Sequence, residues 1–342
     1  MGLNEKFFKS AAGGITPSDH FNTVLYTGNN STQAITGVGF APDFTWIKQR
    51  SGGASHSLQD TVRGAGQSKN IYSDDTAAEG TYGQYGYLSA FGTDGFTVVK
   101  SSGNHTNTSS STYVAWNWKA GGAAVQNNDG TIQGANCLVS ANQDAGFSIT
   151  KYTGNGTSGA TFGHGLGQQV GISIVKNLGS STYWYVYCNL LPTNNNLYLN
   201  TTDSKQADGV MLGGNSTTVS VSASSSVNTN SGSYIAYNFA SVNGYQKIGT
   251  YQGDNSTNES NIINVGFQPS FVMIKNTTSG STSWVIADDE RGYADLYAND
   301  ASAEFSSGSL YGAHFTSVGF TFATADISRN ASNNTYIYLA IA

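Results

Sequence analysis

Asp60-x-x-Arg63-Gly64 recurs in this chain as Asp288-x-x-Arg291-Gly292. A carboxylate and a guanidinium three residues apart across a turn can form a bidentate pair, with the glycine free to take a positive φ. The spacing predicts that Asp60 with Arg63, and Asp288 with Arg291, pin a turn. Ligand binding is the weaker reading, because the aligned second copy carries Cys188 and Leu191 at those positions. His56, Ser57 and Asp60 supply the residue types of a hydrolase triad. They fall within five positions of one extended segment, where neighbouring side chains point to opposite faces, and the other copies hold Trp184 and Trp284 in place of His56. No triad is expected. Carboxylate pairs for glycoside hydrolysis are equally scarce: the chain has five glutamates, and Asp60 and Asp288 are the acidic pair that recurs at a shared site. Asp288, Asp289 and Glu290 lack a second cluster to complete a calcium shell and read as a solvated turn. Gly154–Gly159 spells GxGxxG, yet ATFGHGLG follows and cannot start a helix, so no dinucleotide site is expected. No catalytic residue, metal or cofactor is therefore assigned.

Aromatic side chains are the better candidates for contact. In TYWYVYC, Tyr183, Tyr185 and Tyr187 share one face of a strand, about 6.7 Å apart. The aligned face of the third copy is Ser283, Val285 and Ala287, so the fold does not demand tyrosines there. Three destinations are open to them: a subunit or domain interface, the core, or a platform for a ligand. Tyr82, Tyr85 and Tyr87 stand among glycines and read as an exposed loop tip that can carry recognition.

These residues must be positioned by strands. Charged residues make up 11% of the 342, against roughly 25% in an ordinary soluble domain. Gly, Asn, Ser and Thr supply nearly half of the chain and strong helix formers few of its residues, which all but excludes long helices. Aromatic residues at 12% provide apolar area that a disordered tail lacks. A net charge of −6 with fifteen basic residues offers no stripe for nucleic acid and disfavours anionic membranes. No run approaches the length of a transmembrane helix, and the first fourteen residues form neither a convincing secretion signal nor a myristoylation motif. Cys137 and Cys188 are too few for a disulfide framework; they read as buried thiols in a reducing cytoplasm, with a single bridge left open.

An internal repeat organises the rest. VLYTGNN, ITKYTGNG and KIGTYQGDN open three units; GFAPDFTWIK, GQQVGISIVK and GFQPSFVMIK follow; NIYSD, NLYLN and DLYAN come third. Each unit ends on an aromatic alternation, YVAWNW, YIAYNF or YIYLAI. In the first of these, Val114, Trp116 and Trp118 form the expected core face, opposite Tyr113, Ala115 and Asn117. Short strands bounded by Gly, Asn and Ser predict an all-β fold of three tandem β-sandwich units, jelly-roll or lectin-like. The expected boundaries are an N-terminal arm at 1–19, units at 20–122, 146–243 and 244–342, and a linker at 123–145 whose alternative is a strand pair. Stacked end to end, such units would make a stiff rod.

The phrases FFKSAAGGITPSDHFNTVLYTGN, GVGFAPDFTWIK, STYVAWNWKAGG, ANQDAGFSITKYTGNG and YIAYNFASVNGYQKIGTYQGD together resemble a family of tailed-bacteriophage virion proteins, common in marine phages, of the tail-fibre or structural type. The resemblance covers most of the chain and transfers no catalytic residue. It implies a virion protein assembled in the host cytoplasm. The leading expectation is a non-enzymatic, tail-fibre-like or spike-like appendage that recognises host-surface glycan. Its partners are other virion proteins and further copies of the chain, a trimer being the guess. A capsid-decorating or tail-associated cement protein is the alternative within that class, and a polysaccharide-degrading enzyme the alternative outside it.

Overall fold

The computed structural model describes residues 14–305 and 312–342, and over these the protein is all-β. The readings of the N-terminal residues 1–13 lie outside the described residues. The first segment holds β1 (Phe21–Thr27), β2 (Thr32–Thr36), β3 (Phe44–Gln49), β4 (Ser57–Asp60), β5 (Tyr87–Gly92), β6 (Gly95–Val99) and β7 (Thr112–Trp118). The second holds β8 (Val125–Asn127), β9 (Gly134–Asn142), β10 (Phe147–Thr153), β11 (Ala160–Gly163), β12 (Ile172–Asn177), β13 (Tyr185–Cys188), β14 (Leu197–Tyr198), β15 (Met211–Gly214), β16 (Thr218–Val221) and β17 (Ser233–Phe239). The third holds β18 (Gln246–Gln252), β19 (Ile263–Asn264), β20 (Phe271–Asn276), β21 (Val285–Asp288), β22 (Leu296–Tyr297), β23 (Ala313–Thr316), β24 (Gly319–Phe322) and β25 (Thr335–Ile341).

One strand order recurs. The larger sheets run β1-β7-β3-β4, β10-β17-β12-β13-β14 and β18-β25-β20-β21-β22, and the smaller ones β2-β6-β5, β11-β16-β15 and β19-β24-β23. The repeated phrases explain the match. Each opening tyrosine stacks on the first tyrosine of its closing alternation: Tyr26 on Tyr113 at 5.0 Å, Tyr152 on Tyr234 at 5.0 Å and Tyr251 on Tyr336 at 4.9 Å.

Residues 123–145 are not a linker. They form β8 and β9, of which β9 pairs with β10 and β8 with β9, widening the second large sheet to seven strands. The core-face expectation also needs correction, because both faces of the closing strands are buried. Tyr113 and Ala115 pack against the small sheet of the first segment with Ile35, Phe96 and Val98. Val114, Trp116 and Trp118 instead enter a single central cluster, together with Ile235, Tyr237 and Phe239 of the second segment and Ile337, Leu339 and Ile341 of the third.

A rod is excluded by that shared core. Phe44 stacks on Tyr237 at 4.2 Å, and Trp118 meets both Phe147 and Phe271, so all three segments touch at the centre. The void left there is about 10 Å³, room for about one water-sized probe, so the centre is packed and is not a pore. The junctions close in a ring. Thr182 N–H donates to Thr76 O, Thr282 N–H to Thr202 O and Ala54 N–H to Ala301 O, at 3.0, 3.1 and 2.9 Å. The second segment thus bonds the first, the third bonds the second, and the first bonds the third.

Candidate functional site

The Asp-x-x-Arg turns sit at the ends of β4 and β21. Asp60 Oδ1 accepts from the Arg63 backbone N–H and Oδ2 from Nε at 2.6 Å; Asp288 and Arg291 repeat both bonds. All four residues are buried. The sequence did not reveal the third member of each set. Tyr237 Oη donates to Asp60 Oδ2, and Trp116 Nε1 to Asp288 Oδ2, both at 2.8 Å and both from the neighbouring segment. Where the second segment carries Cys188 in place of the aspartate, the facing closing strand carries Leu339 in place of Tyr or Trp. Donor and acceptor are present together or absent together, which makes these residues parts of the junctions.

His56, Ser57 and Asp60 do not meet as a triad. Trp46 Nε1 donates to His56 Nδ1 at 2.7 Å, which puts the ring proton on Nε2, aimed at Tyr297 O 2.9 Å away. Trp184 and Trp284 make the same bond at the other junctions, to Tyr72 O and Tyr198 O, both at 2.9 Å. His56 with Trp46 behind it therefore replaces one tryptophan. Burial holds the His56 pKa well below the usual imidazole value, so the ring is neutral. Ser57 Oγ donates to Asn70 Oδ1 at 2.9 Å.

Sequence reasoning passed over three lysines that end the second phrase of each unit. Lys48 Nζ donates to Ala301 O at 2.9 Å and Lys176 Nζ to Thr76 O at 3.0 Å, across two junctions, while Lys275 Nζ bonds Thr282 O in its own segment. Burial lowers their pKa values to about 8, about 8 and about 7. Their signal was visible as a lysine at one place in all three copies. Cys137 and Cys188 are free and buried, and burial pushes both thiols up, to about 11 and about 12. Among the described residues no three His, Cys, Asp or Glu side chains stand close enough to hold a metal ion.

The row of Tyr183, Tyr185 and Tyr187 is not an exposed platform. Its face turns toward the small sheet of its own segment, where Tyr185 is 7% exposed and Tyr187 half-buried against the core; Tyr183, at 46%, is the exposed one. Tyr82 and Tyr85 fare differently. With Tyr72 and His105 they close a quartet of rings, with successive centroids 5.6, 5.9, 5.2 and 5.4 Å apart. Tyr85 is exposed, Tyr82 half-buried, and Tyr87 lies half-buried on β5 outside the quartet. Glycines pin the loop: a Cβ at Gly83 would strike the Gln67 carbonyl, and one at Gly103 the Tyr85 ring. Beside the exposed rings, His105 Nδ1 is buried without a hydrogen-bond partner among the described residues, while the buried Tyr72 hydroxyl has the Asn70 side chain as its polar neighbour. Asn70, close to that hydroxyl, gives its amide to Gly86 O and accepts from Ser57. Burial, reinforced by Lys48, lowers the His105 pKa to about 4, so this ring is also neutral. An aromatic surface beside a ring nitrogen with hydrogen-bonding capacity to spare can take a ligand with an apolar face and hydroxyl groups.

A groove of about 630 Å³ lies between the first segment and the β9–β10 turn, lined by His20, Asp43, Lys119, Asn142 and Asp144. Asp43 accepts there from Ala120 N–H and Thr61 Oγ1, and Asn142 bonds His20, so its polar groups serve the fold. Neither the curated proteins nor the solved structures gave a match to the chain. A family model described as a domain of unknown function, DUF7483, matches residues 16–342, nearly the whole chain, and the protein belongs to that family.

Proposed function

We propose that this protein is a non-enzymatic structural protein of a phage particle, carried on a tail-fibre-like or spike-like appendage, that recognises host-surface glycan through the Tyr82–Tyr85 patch. In this reading the three sheet pairs are β-sandwich units of one repeat, jelly-roll or lectin-like, closed around their shared core. The patch is the observation that carries it: a glycine-pinned aromatic pair beside Tyr72 and His105, where the buried His105 Nδ1 has no hydrogen-bond partner among the described residues. Sugars present an apolar ring face and a rim of hydroxyls, which such a surface takes by stacking and hydrogen bonding. The scarcity of charge over the whole chain suits contacts that depend little on salt. Other virion proteins and further copies of this chain are the partners, and display of many copies would raise weak sugar affinities into useful avidity.

The ring of junctions favours one second reading, a capsid-decorating or tail-associated cement protein, since a body with threefold character suits a threefold position in a lattice. Gold-labelled antibody on intact particles separates the two: label on the tail supports the appendage, label over the capsid supports cement, and particles without label overturn both. Glycan-array binding by the wild-type chain should fall at least tenfold in Tyr82→Ala/Tyr85→Ala and survive in Tyr183→Ala. Unchanged binding by the double variant removes the patch from the reading. Release of reducing ends from host polysaccharide would overturn the non-enzymatic assignment.

A further inference from the structure

On the third segment, His314 of β23 and Thr321 of β24 stand directly opposite each other. Their neighbours Ala313, Phe320 and Phe322 fill the core, so by strand alternation His314 and Thr321 belong to the outer face of the small sheet. Outer-face side chains are ordinarily wet. These two are 6% and 1% exposed, and His314 Nε2 and Thr321 Oγ1 are both buried with no hydrogen-bond partner among the described residues. The other ring nitrogen is committed: Nδ1 lies 2.9 Å from Glu259 Oε1, which leaves Nε2 as the ring atom with hydrogen-bonding capacity to spare. Glu259 itself sits at φ +59°, a conformation that non-glycine residues seldom adopt. Over the imidazole lies the Tyr293 ring, its centroid 3.9 Å away and its residue 46% exposed.

We infer that Glu259, Tyr293, His314 and Thr321 form a second saccharide subsite, in which a sugar hydroxyl hydrogen-bonds with His314 Nε2, Thr321 Oγ1 bonds a neighbouring oxygen, and Tyr293 stacks on the ring. The ligand class rests on the glycan reading given above; the location does not, since it is a different segment and a different set of residues. Each part answers a separate need of such a ligand. The carboxylate orients the imidazole, the two unspent atoms are spaced by one cross-strand pair, and the tyrosine supplies an apolar face. Tyr293 must swing outward to admit the sugar, and Gly292 at φ +71° precedes it in the chain.

The test uses the chain's five histidines. Proton–nitrogen correlation spectra of the histidine rings, assigned by single His→Gln variants, are recorded while glucose, galactose, mannose and N-acetylglucosamine are titrated in turn. At least one sugar should move the His314 Nε2 resonance in a saturable way. Thr321→Val, which keeps shape and loses the hydroxyl, should weaken that titration about tenfold, and Tyr293→Phe should retain it while Tyr293→Ala does not. Shifts confined to His105 would overturn this subsite and leave the first-segment patch standing. No shift at either histidine would overturn both.

Discussion

Asp288 Oδ2 accepts from the Arg291 guanidinium of its own turn and from the Trp116 indole of the neighbouring segment, and Asp60 is served in the same way by Arg63 and Tyr237. The buried carboxylates are tolerable because each is paired with a guanidinium and accepts further hydrogen bonds from a backbone N–H and an aromatic donor. Removing one donor should show it: Tyr237→Phe is expected to cost about 1–2 kcal/mol in urea unfolding, whereas Leu339→Met at the equivalent place should cost less than about 1.5 kcal/mol. An unchanged midpoint in Tyr237→Phe would mean that Tyr237 acts through its ring alone. The local half of this arrangement was legible, since Asp and Arg lie three apart. The donors were not, because they lie more than 170 positions away in the chain and nothing in a strand pattern announces a bond between segments. The three buried lysines give a pH dependence. Lys48, Lys176 and Lys275 have folded values near 8, 8 and 7 because burial penalises the charged amine, against about 10.4 unfolded. The unfolded chain therefore binds more protons over that interval, so stability should rise from about pH 7 toward about pH 10, where tyrosines of the unfolded chain begin to ionise. Urea midpoints measured across this range should climb, and Lys275→Met should flatten part of the climb. A flat wild-type profile would contradict the burial of charge at these lysines.

At the level of elements, the centre-facing strands set the limits of what the pattern could tell. β3, β12, β20 and β21 are buried at every position, so polar residues such as Thr45, Lys48 and Ser173 lie inside and the alternation of burial with exposure is gone. Alternation in YVAWNW separated two faces correctly but could not reveal that each serves a different core, one inside its segment and one shared by all three. The same geometry buried Tyr185, because the face it shares with Tyr183 and Tyr187 looks toward β15 and β16 and away from solvent. Residues 123–145 misled for another reason: Gly, Ala, Asn and Gln are common in loops, and β9 gains its strand character by pairing onto β10, and β8 by pairing onto β9. The opening loops, in contrast, were written plainly. Gly28, Gly154 and Gly253 recur because a Cβ at any of them would strike the carbonyl of Thr108, Thr229 or Ala331 on the partner loop. Gly154→Ala should therefore destabilise by about 1–3 kcal/mol through forced displacement of that loop. Gly213→Ala, with open space around it, is the control and should be near neutral in the same thermal-melt comparison.

For the molecule as a whole, the decisive quantity is how much of each segment's stability is borrowed from the others. A rod of independent units would keep most apolar contacts within each unit, and one unit could melt while its neighbours held. Here Trp116, Trp118, Tyr237, Phe239, Phe271 and Leu339 share one cluster, and each segment donates hydrogen bonds to the next around a closed ring. The junction between first and third segments is as developed as the other two. Arg50 pairs with Glu304, Glu304 N–H donates to Arg50 O at 2.8 Å, and Ser73 Oγ donates to Ala298 O at 2.6 Å. Opening any junction strips water-free cover from the aromatic centre, so partial unfolding forfeits contacts on both sides of the break. The whole chain should then unfold in one calorimetric transition, with the van 't Hoff and calorimetric enthalpies in agreement. A chain ending at residue 243 should fail to give a sharp transition and should bind a hydrophobic dye, because Phe44, Trp118 and Phe239 would lose Phe271 and Leu339. Two or three resolved transitions in the full chain, or a sharp melt in the shortened one, would show that the segments stand alone and that the ring of contacts adds little to their stability.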